Sequence, residues 1–197
     1  MIEPGHLKTV LIGLMIANGV LACLFGVLAK RSFWTRGHLT SLMGIWSGIA
    51  MHGHALMTFA MSWIDRGSLY ETRLIATVLG LVLTASGIAA IAAGRRAYGD
   101  VARVYGLKED VLIESGIYRW TRNPQYLGYY LLLLGNAVVS GSAIAFIFVI
   151  IFILLIHAGV ILVEEPHLRQ VFGADYETYT QRVARYFGRR SNRTAQA

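Results

Sequence analysis

The chain has 197 residues, of which 55% are hydrophobic and 15% are charged, and its mean hydropathy is +0.53. An ordinary soluble domain carries about 25% charged residues, so this composition excludes a typical soluble protein and indicates a single-domain integral membrane protein. The net charge of +7 does not indicate a nucleic-acid partner, because the basic residues lie in loops and in the tail between apolar runs, where they orient a membrane protein and contact lipid headgroups.

Four apolar stretches are long enough to cross a bilayer, which takes roughly 20 residues of helix. They are Leu7–Ala29, Leu39–Trp63, Leu74–Gly94 and Tyr126–Val163. The fourth is too long for one span and is interrupted only at Ser140–Ser142, which predicts two helices joined as a tight hairpin. We therefore predict an all-α membrane protein with about five transmembrane helices, or four if the hairpin dips into the bilayer without crossing it.

The predicted organisation is one membrane domain over residues 1–197. Residues 1–94 form three helices, 95–124 a cytosolic loop, 125–163 the hairpin and 164–197 a cytosolic tail. In the tail, Pro166 fits the start of a first short helix and Gly173 its end, and Asp175 can cap a second helix that stops at Gly188. This second helix is amphipathic and is predicted to rest on an anionic membrane surface. Residues from Arg190 onward are predicted to be disordered. The apolar face of the second helix consists of Tyr176, Tyr179, Val183 and Tyr186.

The distribution of Lys and Arg predicts the orientation. With the second and fourth loops and the N-terminus on one side, that side holds Lys8, Arg66 and Arg73, and the other side holds the remaining fifteen of the 18 basic residues. Basic residues favour the cytoplasmic side. We therefore predict that the N-terminus lies outside and that the 95–124 loop and the C-terminus are cytoplasmic.

Several polar residues lie in or beside the apolar runs, where they usually have a partner or a task. His157 and Glu164 are seven residues apart, which predicts that they share one helix face. Glu164 and Glu165 either line a polar pocket at the cytosolic end of the hairpin or mark the point where the helix reaches water. His52 and His54 point to opposite sides of a helix, which favours helix-packing histidines and no metal site.

Small residues recur in the third apolar run at steps of three and four. This spacing favours close helix packing, with a cofactor against the glycines as the alternative. The seam consists of Gly80, Thr84, Gly87, Ile91 and Gly94.

The C-terminal half, Val111 to Phe187, resembles a membrane methyltransferase superfamily that contains isoprenylcysteine carboxyl methyltransferases and phospholipid N-methyltransferases. Two segments carry the resemblance, one on each side of the apolar hairpin. The first is Gly116-Ile117-Tyr118 followed by Arg122 to Gly128. The second is Glu164-Glu165, Leu168, Phe172-Gly173, Tyr176, Tyr179 and Val183-Ala184-Arg185. Asn123 stands where many members have His, and an Asn cannot titrate.

The resemblance implies S-adenosylmethionine as the methyl donor, bound at the cytosolic end of the helices. Arg122 would hold the carboxylate of the donor, Tyr118 and Tyr126 would offer ring faces, and the two acids would suit its cationic groups or ribose hydroxyls. The implied catalytic residues are Glu165, Arg122 and His157. The implied cofactor-binding residues are Tyr118, Arg122, Asn123, Pro124, Tyr126, Leu127, Gly128, Glu164 and Glu165.

The resemblance further implies a membrane-embedded lipid or lipidated acceptor that arrives sideways through the bilayer. A phospholipid headgroup amine must first lose a proton, which Glu165 or His157 could accept, whereas an isoprenyl-type carboxylate needs no base. Two other interpretations remain open. Membrane sterol reductases, which use NADPH, have a stretch similar to Arg122–Gly128, and a non-enzymatic membrane module could use the same polar residues as an anchor.

Overall fold

The structure, a computed structural model, describes residues 4–108 and 110–188. Helices form the architecture of this part of the chain, and they include three long ones before the hairpin. Helix α1 spans Pro4–Arg36, α2 spans Ser41–Ile64 and α3 spans Leu74–Tyr98. The all-α fold is as predicted. The predicted disorder from Arg190 onward concerns residues outside the described part.

The loop after α3 contains a short helix α4, Val101–Val104, and a 3-10 turn, Gly116–Arg119. Helix α5 follows at Pro124–Ser140 and α6 at Ala143–Gly159. A π-helical segment, Val160–Glu164, continues α6 directly into α7, Glu165–Arg182.

The hairpin between α5 and α6 turns where the sequence predicts it. Gly141 has φ +62° and ends α5, a backbone conformation that L side chains rarely adopt. Ser142 then caps α6, because its hydroxyl accepts a hydrogen bond of 3.0 Å from the Ala145 N–H. At the other end of α5, Pro124 occupies the first turn, where its missing N–H costs nothing.

Helices α3 and α5 pack backbone to backbone. A Cβ added at Gly87 would lie 2.5 Å from the Gly128 carbonyl oxygen, and one added at Gly80 would lie 2.6 Å from that of Gly135. Only glycine fits at such a crossing. The predicted small-residue seam of α3 is therefore a packing surface for α5.

Three helical stretches of the described residues are long and apolar enough to cross a membrane: Gly5–Arg36, Leu74–Tyr98 and Ala143–Arg182, whose apolar part is α6. Their outer faces leave large apolar side chains such as Leu24, Val78 and Ile150 exposed, which suits lipid rather than water. The protein is an integral membrane protein, and the number of five spans stays a prediction.

The end opposite the Arg122 region is closed by a buried carboxylate. Asp65 accepts hydrogen bonds from Lys8 (2.6 Å), Ser68 (2.6 Å), Ser142 (2.7 Å) and the Ile144 N–H (3.2 Å). Burial opposes ionisation of this carboxyl, but the hydrogen bonds outweigh burial and lower its pKa to about 2. The first helix, the α2–α3 loop and the hairpin turn are thereby tied together.

The tail differs from its prediction in two respects. Helix α7 is kinked at Gly173 (φ +50°), as expected, but it ends at Arg182 rather than at Gly188. The side chains of Tyr176, Tyr179 and Val183 are buried and pack against Leu112 and the α7 residues Leu168 and Phe172. The protein itself therefore covers this apolar face, and the predicted contact of the helix with an anionic membrane surface stays a prediction for its other faces.

Candidate functional site

A cavity of about 270 Å³ opens where α3 ends and α5 begins. The 3-10 turn, the start of α5 and the end of the π-helical segment supply its polar wall, and α1, α2 and α6 supply apolar side chains. This volume is near the lower end of small-molecule pockets, about 300–1,000 Å³. The polar lining includes Tyr118, Arg122, Asn123, Tyr126, Glu164 and His167, and the apolar lining includes Phe25, Ala29, Met51 and Phe152.

Tyr126 and Glu164 both line this cavity and contact each other. The Tyr126 hydroxyl donates a hydrogen bond to the Glu164 carboxylate, which joins α5 to the end of the π-helical segment. A π-helical turn holds one more residue than an α-helical turn, and such turns are frequent at functional sites. Here the extra residue changes which way Glu164 points relative to α6.

The π-helical segment also changes the expected spacing of His157 and Glu164. The prediction that they share a face assumes a regular α-helix, and the five residues Val160–Glu164 turn less per residue than an α-helix does. His157 does not line the cavity; its Nδ1 lies 2.9 Å from the Tyr186 hydroxyl, in the returning tail. Its predicted catalytic role stays a prediction and would require movement of that tail.

Arg122 is buried between the cavity and α7. Its Nη1 donates to the Tyr176 hydroxyl (3.2 Å), and its Nη2 lies 3.2 Å from Glu165 Oε1. The buried Nε has no hydrogen-bond partner among the described residues. A buried N–H without a partner is costly, which makes this atom a candidate donor to a ligand.

Glu165 points away from the cavity, although it follows Glu164 directly. It is 3% exposed, and Arg185 contacts both of its oxygens, at 2.7 and 2.9 Å. Arg169 adds a weaker contact at 3.7 Å. The hydrogen bond to Glu165 raises the pKa of Arg185, so the pair stays charged. In this arrangement Glu165 fixes the tail and Arg122 rather than facing a ligand.

The residues just before α5 also hold the returning tail. The Asn123 amide and the Thr121 hydroxyl both donate to the Arg185 carbonyl oxygen, at 3.2 and 3.1 Å, and the Arg122 N–H donates to the Ala184 carbonyl oxygen at 3.1 Å. Asn123 additionally lines the cavity. The tail segment after α7 therefore forms part of the frame of the site.

Besides Glu165, three of the predicted cofactor-binding residues are not among the cavity-lining residues. Pro124 is buried near Gly94 of α3, and Gly128 packs against the Gly87 carbonyl oxygen. Leu127 lies on the same helix without reaching the lining. These positions set the place of α5, and direct contact with a cofactor stays a prediction for them.

Tyr118 lines the cavity from the 3-10 turn and is almost fully buried. Burial raises the pKa of its hydroxyl to about 12, so the group stays protonated and can donate a hydrogen bond. Its carbonyl oxygen accepts from the Tyr179 hydroxyl at 2.8 Å, and its ring meets the Tyr98 ring edge-on at 5.5 Å. The positive φ of Gly116 (+60°) starts this turn.

Two of the cavity residues that the sequence analysis missed stack on each other. His167 stacks on Phe33 of α1, with ring centroids 3.9 Å apart and an interplanar angle of 20°. The position of His167 just after Pro166, on the polar α7, carried no signal beyond its spacing of three residues from Glu164. Phe33 lies beyond the predicted end of the first apolar run.

The two histidines of α2 form hydrogen bonds within and between packed helices, which is the role that the sequence favoured. The Nδ1 of His52 lies 2.7 Å from the Gly48 carbonyl oxygen and its Nε2 lies 3.0 Å from the Tyr129 hydroxyl, whereas His54 Nε2 lies 2.9 Å from the Phe148 carbonyl oxygen. Within residues 4–108 and 110–188, no group of three His, Cys, Asp or Glu side chains could hold a metal ion.

The fold and the site define a class: a helical membrane protein with a partly polar cavity at one end of its helices. The sequence model of the phospholipid methyltransferase family matches residues 75–175, about half of the chain. The protein therefore belongs to the phospholipid methyltransferase family, and the predicted superfamily resemblance is confirmed.

The curated relatives include several named isoprenylcysteine methyltransferases. The protein-S-isoprenylcysteine O-methyltransferase of Saccharomyces cerevisiae is 28% identical over 114 residues, which cover 55% of this chain and 47% of that protein. A probable enzyme of that name from Oryza sativa subsp. indica is 31% identical over 110 residues, covering 53% and 57%. An uncharacterized protein of Haemophilus influenzae is 41% identical over 61 residues, covering 31% of this chain and 97% of that protein.

The chain spans about half the length of the isoprenylcysteine methyltransferases it matches. No solved structure matches it. The named proteins that it matches are methyltransferases, which does not favour the sterol-reductase interpretation.

Proposed function

We propose that the protein is an S-adenosylmethionine-dependent methyltransferase that acts on a membrane-embedded lipid or lipidated acceptor. The observation that carries this proposal is the cavity, which combines a polar wall at Tyr126 and Glu164 with an apolar wall from α1, α2 and α6. A water-soluble charged donor and a lipid-borne nucleophile need these two environments side by side. Membership of the phospholipid methyltransferase family supports it.

The residues present fit the methyl donor. Arg122 presents an unpartnered Nε, which suits a carboxylate. Tyr118 and Tyr126 offer ring faces to an adenine or a sulfonium, and Glu164 is the acidic residue that lines the cavity. When bound, S-adenosylmethionine would supply the electrophilic methyl group.

The contribution of the chain itself is alignment. Methyl transfer from a sulfonium is an in-line displacement, so holding the two reactants in line supplies most of the catalysis. The Tyr126–Glu164 hydrogen bond fixes one wall, and the contacts of Arg122 with Tyr176 and Glu165 fix a second. Apolar side chains such as Phe152 exclude water from the remaining space.

The acceptor reaches this cavity along α1 and α2. Phe25 and Ala29 of α1 and Met51 of α2 line the apolar part, next to helices whose outer faces suit lipid. A lipid chain that occupies this part would put its polar end beside Glu164. This arrangement supports lateral access from the bilayer.

The need for a base depends on the acceptor. A carboxylate is ionised near neutral pH and needs none, whereas an ammonium must first lose its proton. Glu164 lines the cavity and Glu165 and His157 do not, so Glu164 replaces both of them as our candidate for that proton. The bias of Lys and Arg supports a cytoplasmic position for this end of the single domain and for the tail.

Calorimetry on the purified full chain tests the donor. We expect heat of binding with S-adenosylhomocysteine and none with NADPH. Binding of NADPH alone would replace the proposal with the reductase interpretation. Binding of neither would favour the non-enzymatic module.

Transfer of labelled methyl groups tests the site. In native membranes supplied with radiolabelled S-adenosylmethionine, Glu164→Gln should lower transfer by about 10-fold to 100-fold, because it weakens the hydrogen bond from Tyr126 and removes the acid that faces the cavity. The exposed Glu71 provides the matched control, and Glu71→Gln should leave transfer unchanged. Equal activity of the two variants would remove Glu164 from the site. Mass analysis of the labelled product identifies the acceptor.

A further inference from the structure

His167 is a buried histidine whose ring nitrogens have no hydrogen-bond partner in the described part of the chain. Its side chain lines the cavity and is 4% exposed, and neither Nδ1 nor Nε2 has a hydrogen-bond partner among the described residues. Its ring stacks on Phe33 of α1. The ring is therefore held in place by an apolar surface while both of its polar atoms stay unsatisfied.

Burying such atoms is unfavourable unless something bonds them. His54 provides a direct comparison, because it is also buried and lines the same cavity, yet its Nε2 lies 2.9 Å from the Phe148 carbonyl oxygen. An apolar side chain would pack equally well against Phe33. Of these two cavity histidines, His54 serves helix packing, whereas His167 has ring nitrogens that a ligand could bond.

The charge of the lining indicates what kind of group the ligand carries. Three arginines line the cavity against one acid, Glu164. Arg103 is bound by Asp110 at 2.6 and 2.9 Å, and Arg122 by Glu165. Arg95 forms no ion pair with any described residue. Arg95 is therefore the lining cation whose charge suits an anionic group in the cavity.

His167 lies on different elements from Tyr118, Arg122 and Tyr126 of the wall assigned to the methyl donor, although Glu164 precedes it by three residues. His167 and Phe33 belong to α7 and α1, whereas Tyr118 belongs to the 3-10 turn, Tyr126 to α5 and Arg122 to the segment between them. Phe33 continues along α1 into the apolar lining at Ala29 and Phe25. A group bonded to His167 would thus be the polar end of a chain lying along α1.

We infer that His167 binds the methyl acceptor, by donating a hydrogen bond to the carboxylate of an S-isoprenyl-cysteine-type lipid, and so determines acceptor specificity. This inference rests on the proposed function. Transfer to such a carboxylate forms an oxygen–carbon bond as the sulfur–carbon bond of the donor breaks. The carboxylate becomes a neutral ester, the sulfonium becomes a neutral thioether, and no proton moves. A neutral imidazole is sufficient, because it only has to donate its N–H.

Two probes that differ only in the carboxylate test this assignment. N-acetyl-S-farnesylcysteine carries it, and N-acetyl-S-farnesylcysteamine lacks it. Dissociation constants for both are measured on the purified full chain, with and without S-adenosylhomocysteine. We expect the wild type to bind the acid about tenfold or more tightly than the carboxylate-free probe, the size expected of a charge-assisted hydrogen bond.

Variants of His167 then assign the preference to one residue. His167→Phe and His167→Leu keep the apolar contact with Phe33 and should reduce the preference for the acid by about tenfold. His167→Gln, which keeps an N–H donor, should restore part of it. His38 is an exposed histidine beyond α1, and His38→Gln should change nothing. Unchanged binding of S-adenosylhomocysteine shows that each variant is folded.

Three results would overturn the inference. The first is that the preference for the acid persists in His167→Phe or, if that variant does not fold, in His167→Leu. The second is that S-adenosylhomocysteine binding weakens about tenfold in the variant while the preference for the acid stays, which would place His167 on the donor. The third is that the wild type shows no preference for the acid, which would leave an amine as the acceptor. Failure of the proposed function is seen separately, as absence of S-adenosylhomocysteine binding and of methyl transfer.

Discussion

Glu164 and Glu165 are neighbours in the sequence with different surroundings in the structure. Glu164 accepts the Tyr126 hydrogen bond and lines the cavity, whereas Glu165 is enclosed by Arg122 and Arg185. The sequence predicted that the two acids and the arginine before α5 belong to one site. It could not show which acid lines the cavity and which one pairs with arginines, because that depends on the π-helical turn and on Arg185, twenty positions after Glu165.

Replacement of Glu165 tests its role as a structural anchor. Glu165→Gln leaves the buried Arg122 without a charged partner and weakens the bidentate contact with Arg185. We expect a loss of about 3 kcal/mol of stability, as for a buried pair that loses one member. A lower unfolding temperature and faster trypsin cleavage at Arg185 would show it.

Glu177 provides the control, since it is an exposed acid of the same helix paired with Arg169 at 2.8 Å. Glu177→Gln should cost less than about 1 kcal/mol. If both variants unfold at the same temperature, the buried cluster does not hold the tail.

At the scale of elements, the fixed part of the site is the α3–α5 pair. Its glycines bring the two backbones into contact, which sets the position of Tyr126 at the start of α5. The seam of small residues was visible in the sequence, and so was the hairpin turn at Gly141. The extension of α1 to Arg36 was not, because a hydropathy pattern ends where the helix leaves the apolar region, even though the helix itself continues.

Adding one methyl group at this crossing tests its tightness. In Gly87→Ala, the new Cβ would lie 2.5 Å from the Gly128 carbonyl oxygen and 2.6 Å from the Leu132 nitrogen. Both are backbone atoms, so a helix must shift, at a cost of about 1–3 kcal/mol.

Gly13 of α1 provides the control, because a Cβ added there would have no atom within 4 Å. Gly13→Ala should therefore be neutral or stabilising by about 0.5–1 kcal/mol. Thermal unfolding in detergent compares the two variants. Equal unfolding temperatures would mean that α3 and α5 separate easily.

At the scale of the whole molecule, the two ends of the helices differ in their charged residues and in how fully these are hydrogen-bonded. The cavity end carries arginines and a partly unsatisfied lining, whereas the other end is closed around Asp65 with every contact made within the protein. The sequence predicted the helices and the family. It did not predict the return of the tail onto Thr121–Asn123 or the stacking of His167 on Phe33, because both arise from contacts between distant segments.

The closed end predicts a loss of stability in acid. The pKa of Asp65 is lowered from its ordinary value of 3.8 to about 2. Its ionised form therefore stabilises the fold above about pH 4, and this contribution is lost as the pH falls from about 4 to about 2. The unfolding temperature of the wild type should fall over this range.

Asp65→Asn should be less stable than the wild type near neutral pH, by about 1–3 kcal/mol, and should show a smaller decrease in acid. The exposed Asp175 serves as control, and Asp175→Asn should follow the wild-type curve. Parallel curves for Asp65→Asn and the wild type would contradict the assignment.

The π-helical turn has a consequence for how length variation can be tolerated here. Each residue of a helix rotates the next one by about 100° around the axis. Removing one residue from Val160–Glu164 would regularise the helix, yet it would turn Glu164 away from Tyr126 and displace Glu165 from Arg185 at the same time. The extra residue thus sets the rotational position of α7 relative to the membrane-spanning α6. Single-residue deletions should be tolerated better elsewhere in the chain than in this segment.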